Sequence, residues 1–195
     1  MGRGLTAALA LVILVGVAGV LYVIVAAAIK PGGVGGLSGL NRGAMAKLQV
    51  LPDPVPAAPV AFVGEDAKPV RLIDFKGRAV VLNLWATWCA PCVKEMPTLA
   101  ALQSAEAGHG VKVLAVSMDT SGQTDKAKAF IATHPPLGFY QDAKYAFMTS
   151  MKPPLIGFPT TVLIDRSGME RAIYSGDTDW SSPEAKAVVE RLAAL

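Results

Sequence analysis

The stretch that most restricts the fold of this chain is Ala79 to Cys92. A nearly continuous apolar run, Ala79-Val80-Val81-Leu82-Asn83-Leu84-Trp85, is followed after two residues by Trp88-Cys89-Ala90-Pro91-Cys92. Such a run predicts a strand covered on both faces, and Val111 to Ser117 predicts a second. Between them, Pro91 to Ala105 carries Val93, Met96, Leu99, Ala100 and Leu102 at helical spacing, with Pro97 expected to kink the helix. The result is a βαβ unit with two cysteines at the strand-to-helix junction. Downstream, Thr124 to Thr133 and Tyr145 to Ser150 read as helices. Thr160 to Asp165 and Met169 to Ser175 read as strands around the turn Arg166-Ser167-Gly168, and Ser182 to Leu195 closes the chain as an amphipathic helix.

Position assigns the two thiols different roles. Unpaired amides and the positive end of the helix dipole stabilise a thiolate at Cys89, which makes it the attacking nucleophile. Cys92, one turn inside, resolves the mixed disulfide that follows. A bridge spanning two residues constrains too little chain to be structural. A zinc site needs about four ligands, and beyond these thiols the chain offers only His109 and His134, at neither finger-like nor ribbon-like spacing. Covalent haem attachment needs His directly after the second cysteine, where Val93 stands. No metal or cofactor is therefore expected. A Cu(I)-binding module using the same thiolates is the alternative, since copper favours soft ligands. Met148 and Met151, soft ligands too, read as packing, and the two histidines as surface residues.

Asn83 to Pro97, read as Asn83-Leu84-Trp85-Ala86-Thr87-Trp88-Cys89-Ala90-Pro91-Cys92-Val93-Lys94-Glu95-Met96-Pro97, resembles the active-site stretch of the TlpA family of membrane-tethered, thioredoxin-like reductases of bacteria. The likeness continues at Gly157-Phe158-Pro159-Thr160-Thr161-Val162-Leu163-Ile164-Asp165 and around Trp180, covering about residues 60–195. It implies an α/β thioredoxin-like fold, a central mixed sheet flanked by helices. Thioredoxin carries a buried Asp six residues before its first Cys; here that place is Asn83, which cannot titrate. Glu95, one turn after Cys92, is where the resemblance places the proton-transfer duty, the bland alternative being a solvated acid paired with a lysine. The resemblance also implies a cis Pro159 that aims the Phe158 backbone at an extended partner segment, with Trp88 and Pro91 completing the substrate rim and Trp85 in the core. The uncharged Ala90-Pro91 pair favours a reductant over an oxidant. The expected partners are disulfide-containing extracytoplasmic proteins of copper delivery or cytochrome c biogenesis, and a membrane electron donor of the DsbD or CcdA kind. Thr160 in place of a Glu after the proline leans toward the TlpA type.

The chain outside that region has a different character. Leu5 to Ile29 is 25 residues without a charge, bounded by Arg3 and Lys30. At about 1.5 Å per residue a helix of that length exceeds the roughly 30 Å bilayer core, which predicts an N-terminal transmembrane helix over 1–30. A signal peptide cleaved near Ala26-Ala27-Ala28 is the rival, although its apolar region is usually only about 7–15 residues. Glycines at 32–36 and prolines at 52, 54, 56 and 59 predict a tether over 31–61, with the catalytic domain occupying 62–195. Lysine and arginine flank the span on both sides, so the outward, periplasmic orientation at the bacterial inner membrane follows from the redox chemistry instead. The formal charge of +3 belongs to the first 61 residues, whose four basic side chains oppose Asp53 alone; the rest is balanced. A basic footprint for nucleic acid is absent.

Overall fold

The computed structural model describes residues 36–195 and, ahead of them, Gly16, Val17, Gly19, Val20 and Tyr22. It divides into two units, residues 1–35 and 36–195. The proposed membrane span falls almost wholly outside the described residues, and among these no helix is long and apolar enough to cross a membrane.

Eight strands form the sheet: β1 (Gln49–Pro56), β2 (Ala61–Val63), β3 (Pro69–Arg71), β4 (Ala79–Trp85), β5 (Val111–Ser117), β6 (Tyr140–Gln141), β7 (Thr160–Ile164) and β8 (Met169–Ser175). The α-helices within residues 36–195 are α1 (Ala90–Ala105), α2 (Thr124–Ala132), α3 (Ala146–Ser150) and α4 (Pro183–Ala193). Spatial order is β1-β8-β7-β4-β5-β6-β2-β3. β4 pairs in parallel with β5 and antiparallel with β7, which makes the sheet mixed, as the resemblance implies. Every residue of β4 is buried. Alternation along it sends Val81 and Trp85 to a core shared with Met96, Leu99 and Leu102 of α1 and Val188, Val189 and Leu192 of α4. Val80, Leu82 and Leu84 face a second core with Phe62, Phe147, Met151 and Leu155. Helix α1 runs unbroken through Pro97. Met151 is buried and Met148 packs beside it, in line with their reading as packing residues.

The tether boundary requires correction. Proline and glycine spacing predicts a linker over 31–61, yet the folded unit begins at Gly36. Leu37, Met45 and Leu48 are buried against α4 and β8, and β1 pairs antiparallel with β8 from Gln49↔Ile173 to Pro56↔Met169. Pro52, Pro54 and Pro56 are tolerated there because β1 lies at the sheet edge, where missing donors need no neighbour.

Glu170 on β8 is buried, with one carboxyl oxygen unpartnered and the other accepting from the Ala58 N–H at 3.3 Å. Burial pushes its pKa up to about 7. The native state therefore holds this proton more tightly than the unfolded chain, and stability falls as pH rises from about 4.5 to 7. Glu170→Gln is expected to raise stability at pH 8 by roughly 1–2 kcal/mol, and to leave it unchanged or slightly lower at pH 4, in denaturant titrations.

Candidate active site

The in-register pairing of β4 with β5 sets Trp85 beside Ser117 at the carboxyl ends of both strands. The chain then turns through Ala86 to Trp88 before α1. Its turn is held by Asp119, which is wholly buried. The carboxylate accepts from the Thr87 backbone N–H at 3.0 and 3.2 Å, the Thr87 hydroxyl at 2.8 Å and the Ser117 hydroxyl at 2.9 Å. Asp119 thus fixes the backbone two residues before Cys89. Charge-assisted bonds of this kind are worth about 1.5–3 kcal/mol each, and losing the acceptor strands buried donors. Asp119→Ala is therefore expected to lower stability by about 3 kcal/mol, read as a lower denaturant midpoint.

Cys89 caps α1, its Sγ accepting the Cys92 N–H at 3.3 Å, and Pro91 occupies the first turn, where a missing donor costs nothing. The two thiols are joined, S–S 2.03 Å. Cys92 is fully buried and Cys89 is 6 % exposed, so of the pair only Cys89 meets solvent. Trp88 is 56 % exposed, and its ring meets Phe158 edge-on at 5.7 Å. The Phe158–Pro159 bond is cis. Because Thr160 pairs with Leu84, Pro159 lies at the level of Trp85, at the sheet end that carries the cysteines. Trp88, Pro91 and Phe158 thus reach the surface around that end while Pro159 is buried.

Glu95 is not the solvated acid of the bland reading. It is 2 % exposed, and the neighbouring Lys94 pairs instead with Asp177 at 3.1 Å. Its Oε1 accepts from Asn83 Nδ2 at 2.8 Å; its Oε2 accepts from Trp180 Nε1 at 3.2 Å and the Thr178 N–H at 3.3 Å. Burial raises its pKa to about 7 against the lowering influence of these donors. Asn83 Nδ2 also donates to Thr161 Oγ1 at 2.9 Å. A carboxyl poised near neutrality on the buried face of α1, one turn beyond Cys92, can take up or release a proton at working pH. Of the two histidines, His109 is exposed and close to Glu106, and the half-buried His134 meets the Phe130 ring at a tilt, centroids 4.6 Å apart.

The redoxin family matches residues 52–189. The chain belongs to the redoxin family. Within it, this redoxin is of the TlpA-like thiol:disulfide interchange type. It is 31% identical over 121 residues to the thioredoxin-like protein YneN of Bacillus subtilis, covering 59% of this chain and 66% of the relative. It is 38% identical over 109 residues to the thiol-disulfide oxidoreductase ResA of Geobacillus thermodenitrificans, covering 54% and 59%. This redoxin thus spans less than two thirds of the length of these relatives. Among solved structures it resembles a thiol:disulfide interchange protein of Chlorobium tepidum, at TM-score 0.60 and 25% identity over 72% of this chain and 97% of the other. It also resembles StoA of Bacillus subtilis, at TM-score 0.52 and 25% identity over 70% and 98%.

The thiols, Glu95 and the proline loop are the residues expected from the sequence, and the structure places Cys89, Cys92 and Glu95 on one helix and the proline loop at the same end of the sheet. Sequence reasoning missed Asp119, the Thr178 amide and the donor role of Trp180. An Asp two residues after the apolar run Val111 to Ser117 was the available signal for Asp119. The other two depend on a segment over 80 residues away in the chain, where the resemblance around Trp180 marks the place but not the contact.

Proposed function

We propose that this redoxin is an extracytoplasmic protein-disulfide reductase held at the bacterial inner membrane by its N-terminal segment, with the catalytic domain facing the periplasm. The observation that carries the reading is the pairing of a marginally exposed Cys89 at a helix start with a fully buried Cys92 one turn inside. The Cys89 thiolate attacks one sulfur of a partner disulfide, forming a mixed disulfide and expelling the partner's other sulfur as a thiolate. Glu95 accepts the proton of Cys92, whose sulfur then attacks Cys89 Sγ and releases the second partner thiol. Two electrons pass to the partner, and the Cys89–Cys92 disulfide remains. Trp88, Pro91 and Phe158 form the surface on which the partner's extended segment lies, and the buried cis Pro159 aims the Phe158 backbone at that segment for main-chain pairing in the manner of strand addition.

The likeness to ResA and to a thiol:disulfide interchange protein supports the reaction class. Copper-delivery or cytochrome c biogenesis proteins are the partners proposed from the resemblance of Asn83 to Pro97, and a DsbD- or CcdA-like membrane protein is the proposed source of electrons. A Cys92→Ser chain expressed in its host membrane is expected to accumulate a mixed disulfide on Cys89 with an extracytoplasmic protein. Mass spectrometry of the adduct tests this. Adducts solely with cytoplasmic proteins, or none beyond background, would contradict the assignment.

A further inference from the structure

The segment after β8, Gly176 to Ser182, meets α1 at Glu95 and Thr98 and supplies two of the three donors that hold Glu95. Trp180 is wholly buried; its indole N–H, which can only donate, points at Glu95 Oε2, and its backbone N–H donates to Thr98 Oγ1 at 3.1 Å. The Thr98 hydroxyl in turn donates to the Glu95 carbonyl at 2.7 Å, so one threonine ties the segment to the backbone of the residue it serves. On its far side, Thr178 Oγ1 donates to the Ala44 carbonyl at 2.8 Å, and Tyr174, whose ring meets Trp180 edge-on at 5.7 Å, donates to the same carbonyl at 3.0 Å. The segment is anchored on two sides. Next to it a cleft of about 420 Å³ is lined by Lys94, Glu95, Thr98, Asp177, Thr178 and Asp179. Glu95 therefore sits between a buried face toward β4 and β7 and an open cleft beside this segment.

We infer that the 177–180 segment is a working part of the proton relay: Trp180 is a positioning residue that holds the Glu95 carboxylate, and the cleft carries its proton to solvent. This rests on the proposed role of Glu95. The carboxyl that has taken the Cys92 proton must lose it again before the next cycle, and its Asn83 side is closed to solvent, with Asn83 and Thr161 both buried. On the cleft side, Asp177 and Lys94 form an exposed pair at the opening. The charged or titratable groups around Glu95 are Cys92 and Lys94 on α1, Asp177 and Asp179 on the segment, Tyr174 on β8, and Lys47, whose charge acts on Asp177. β4 and β7 contribute the neutral Asn83 and Thr161. The Trp180 N–H favours the charged carboxylate, whereas Asp177 opposes it.

The test uses the full chain in detergent. The Glu95 side chain is titrated by carbon-13 NMR, and the rate at which Cys92 resolves a preformed mixed disulfide on Cys89 is followed against pH. Trp180→Phe keeps an aromatic ring in place but removes one donor to a charged acceptor. It is expected to move both the Glu95 midpoint and the acid limb of the rate profile up by about one pH unit, roughly tenfold in rate below the midpoint. In a Glu95→Gln background the same change should not move the profile. Asp177→Asn, at the exposed mouth, is expected to move the midpoint down and guards against a folding defect in the tryptophan variant. If Glu95→Gln itself leaves the resolution profile unaltered, the role of Glu95 falls. If Glu95→Gln flattens the limb while neither Trp180→Phe nor Asp177→Asn moves it, the inference about the segment alone is overturned.

Discussion

Replacing Cys89 with Ser is expected to abolish disulfide reduction, while replacing Cys92 should leave one fast event per chain and no turnover. A serine hydroxyl at Cys89 cannot ionise near neutral pH and cannot form the mixed disulfide, so the first step is lost altogether. Loss of a nucleophile in a concerted set typically costs on the order of 10³-fold or more. In the Cys92 variant the attacking sulfur and its helix cap remain; what is missing is the second displacement. Burst kinetics against a chromogenic disulfide should show one equivalent of thiolate released at nearly the wild-type rate. The asymmetry follows from burial: Cys89 retains 6 % exposure and Cys92 none, so a partner sulfur can reach only the first. Equal bursts from both variants would remove the distinction.

Replacing Glu95 with Gln is the second large effect, and it has two readouts. As proton acceptor for Cys92, Glu95 should govern the pH dependence of resolution, and a neutral amide should slow that step by about 10²-fold near pH 7, within the usual range for a lost general base. Stability should move the other way. The folded pKa of about 7 lies above the ordinary carboxyl value of 4.5, so the native state binds this proton more tightly than the unfolded chain. The charged carboxylate therefore weakens the fold progressively between about pH 4.5 and 7 and by a constant amount above. Oxidised Glu95→Gln is expected to be more stable than wild type at pH 8 by roughly 2–3 kcal/mol, with little difference at pH 4. Slower chemistry with a firmer fold is the signature of a residue retained for function.

How much of this was legible in the sequence depended on whether a signal was local. β4, β5 and β8 match the predicted bounds because seven-residue apolar or alternating runs leave no competing period. The helix after the cysteines is equally clear. β1 was hidden by its own prolines, which resemble a linker unless one knows that the strand will lie at an edge. β2, β3 and β6 are only two or three residues long, too short for alternation to register. Within the site, Cys89, Cys92 and Glu95 share one helix, so spacing alone relates them. Asp119 reaches Thr87 across 32 residues and Trp180 reaches Glu95 across 85, contacts that exist only once strands have paired. The resemblance around Trp180 marked the place without revealing that its indole faces the carboxylate.

The direction of electron flow distinguishes a disulfide reductase from an oxidant built on the same Cys89–Cys92 couple. Equilibrating the full chain with glutathione buffers and quantifying the Cys89–Cys92 couple by alkylation measures its reduction potential. The uncharged Ala90-Pro91 pair adds no extra stabilisation to the Cys89 thiolate beyond the helix itself, and the predicted value lies below about −200 mV, toward the roughly −270 mV of thioredoxin. A value near −120 mV, that of a strong disulfide oxidant, would contradict the reductase assignment.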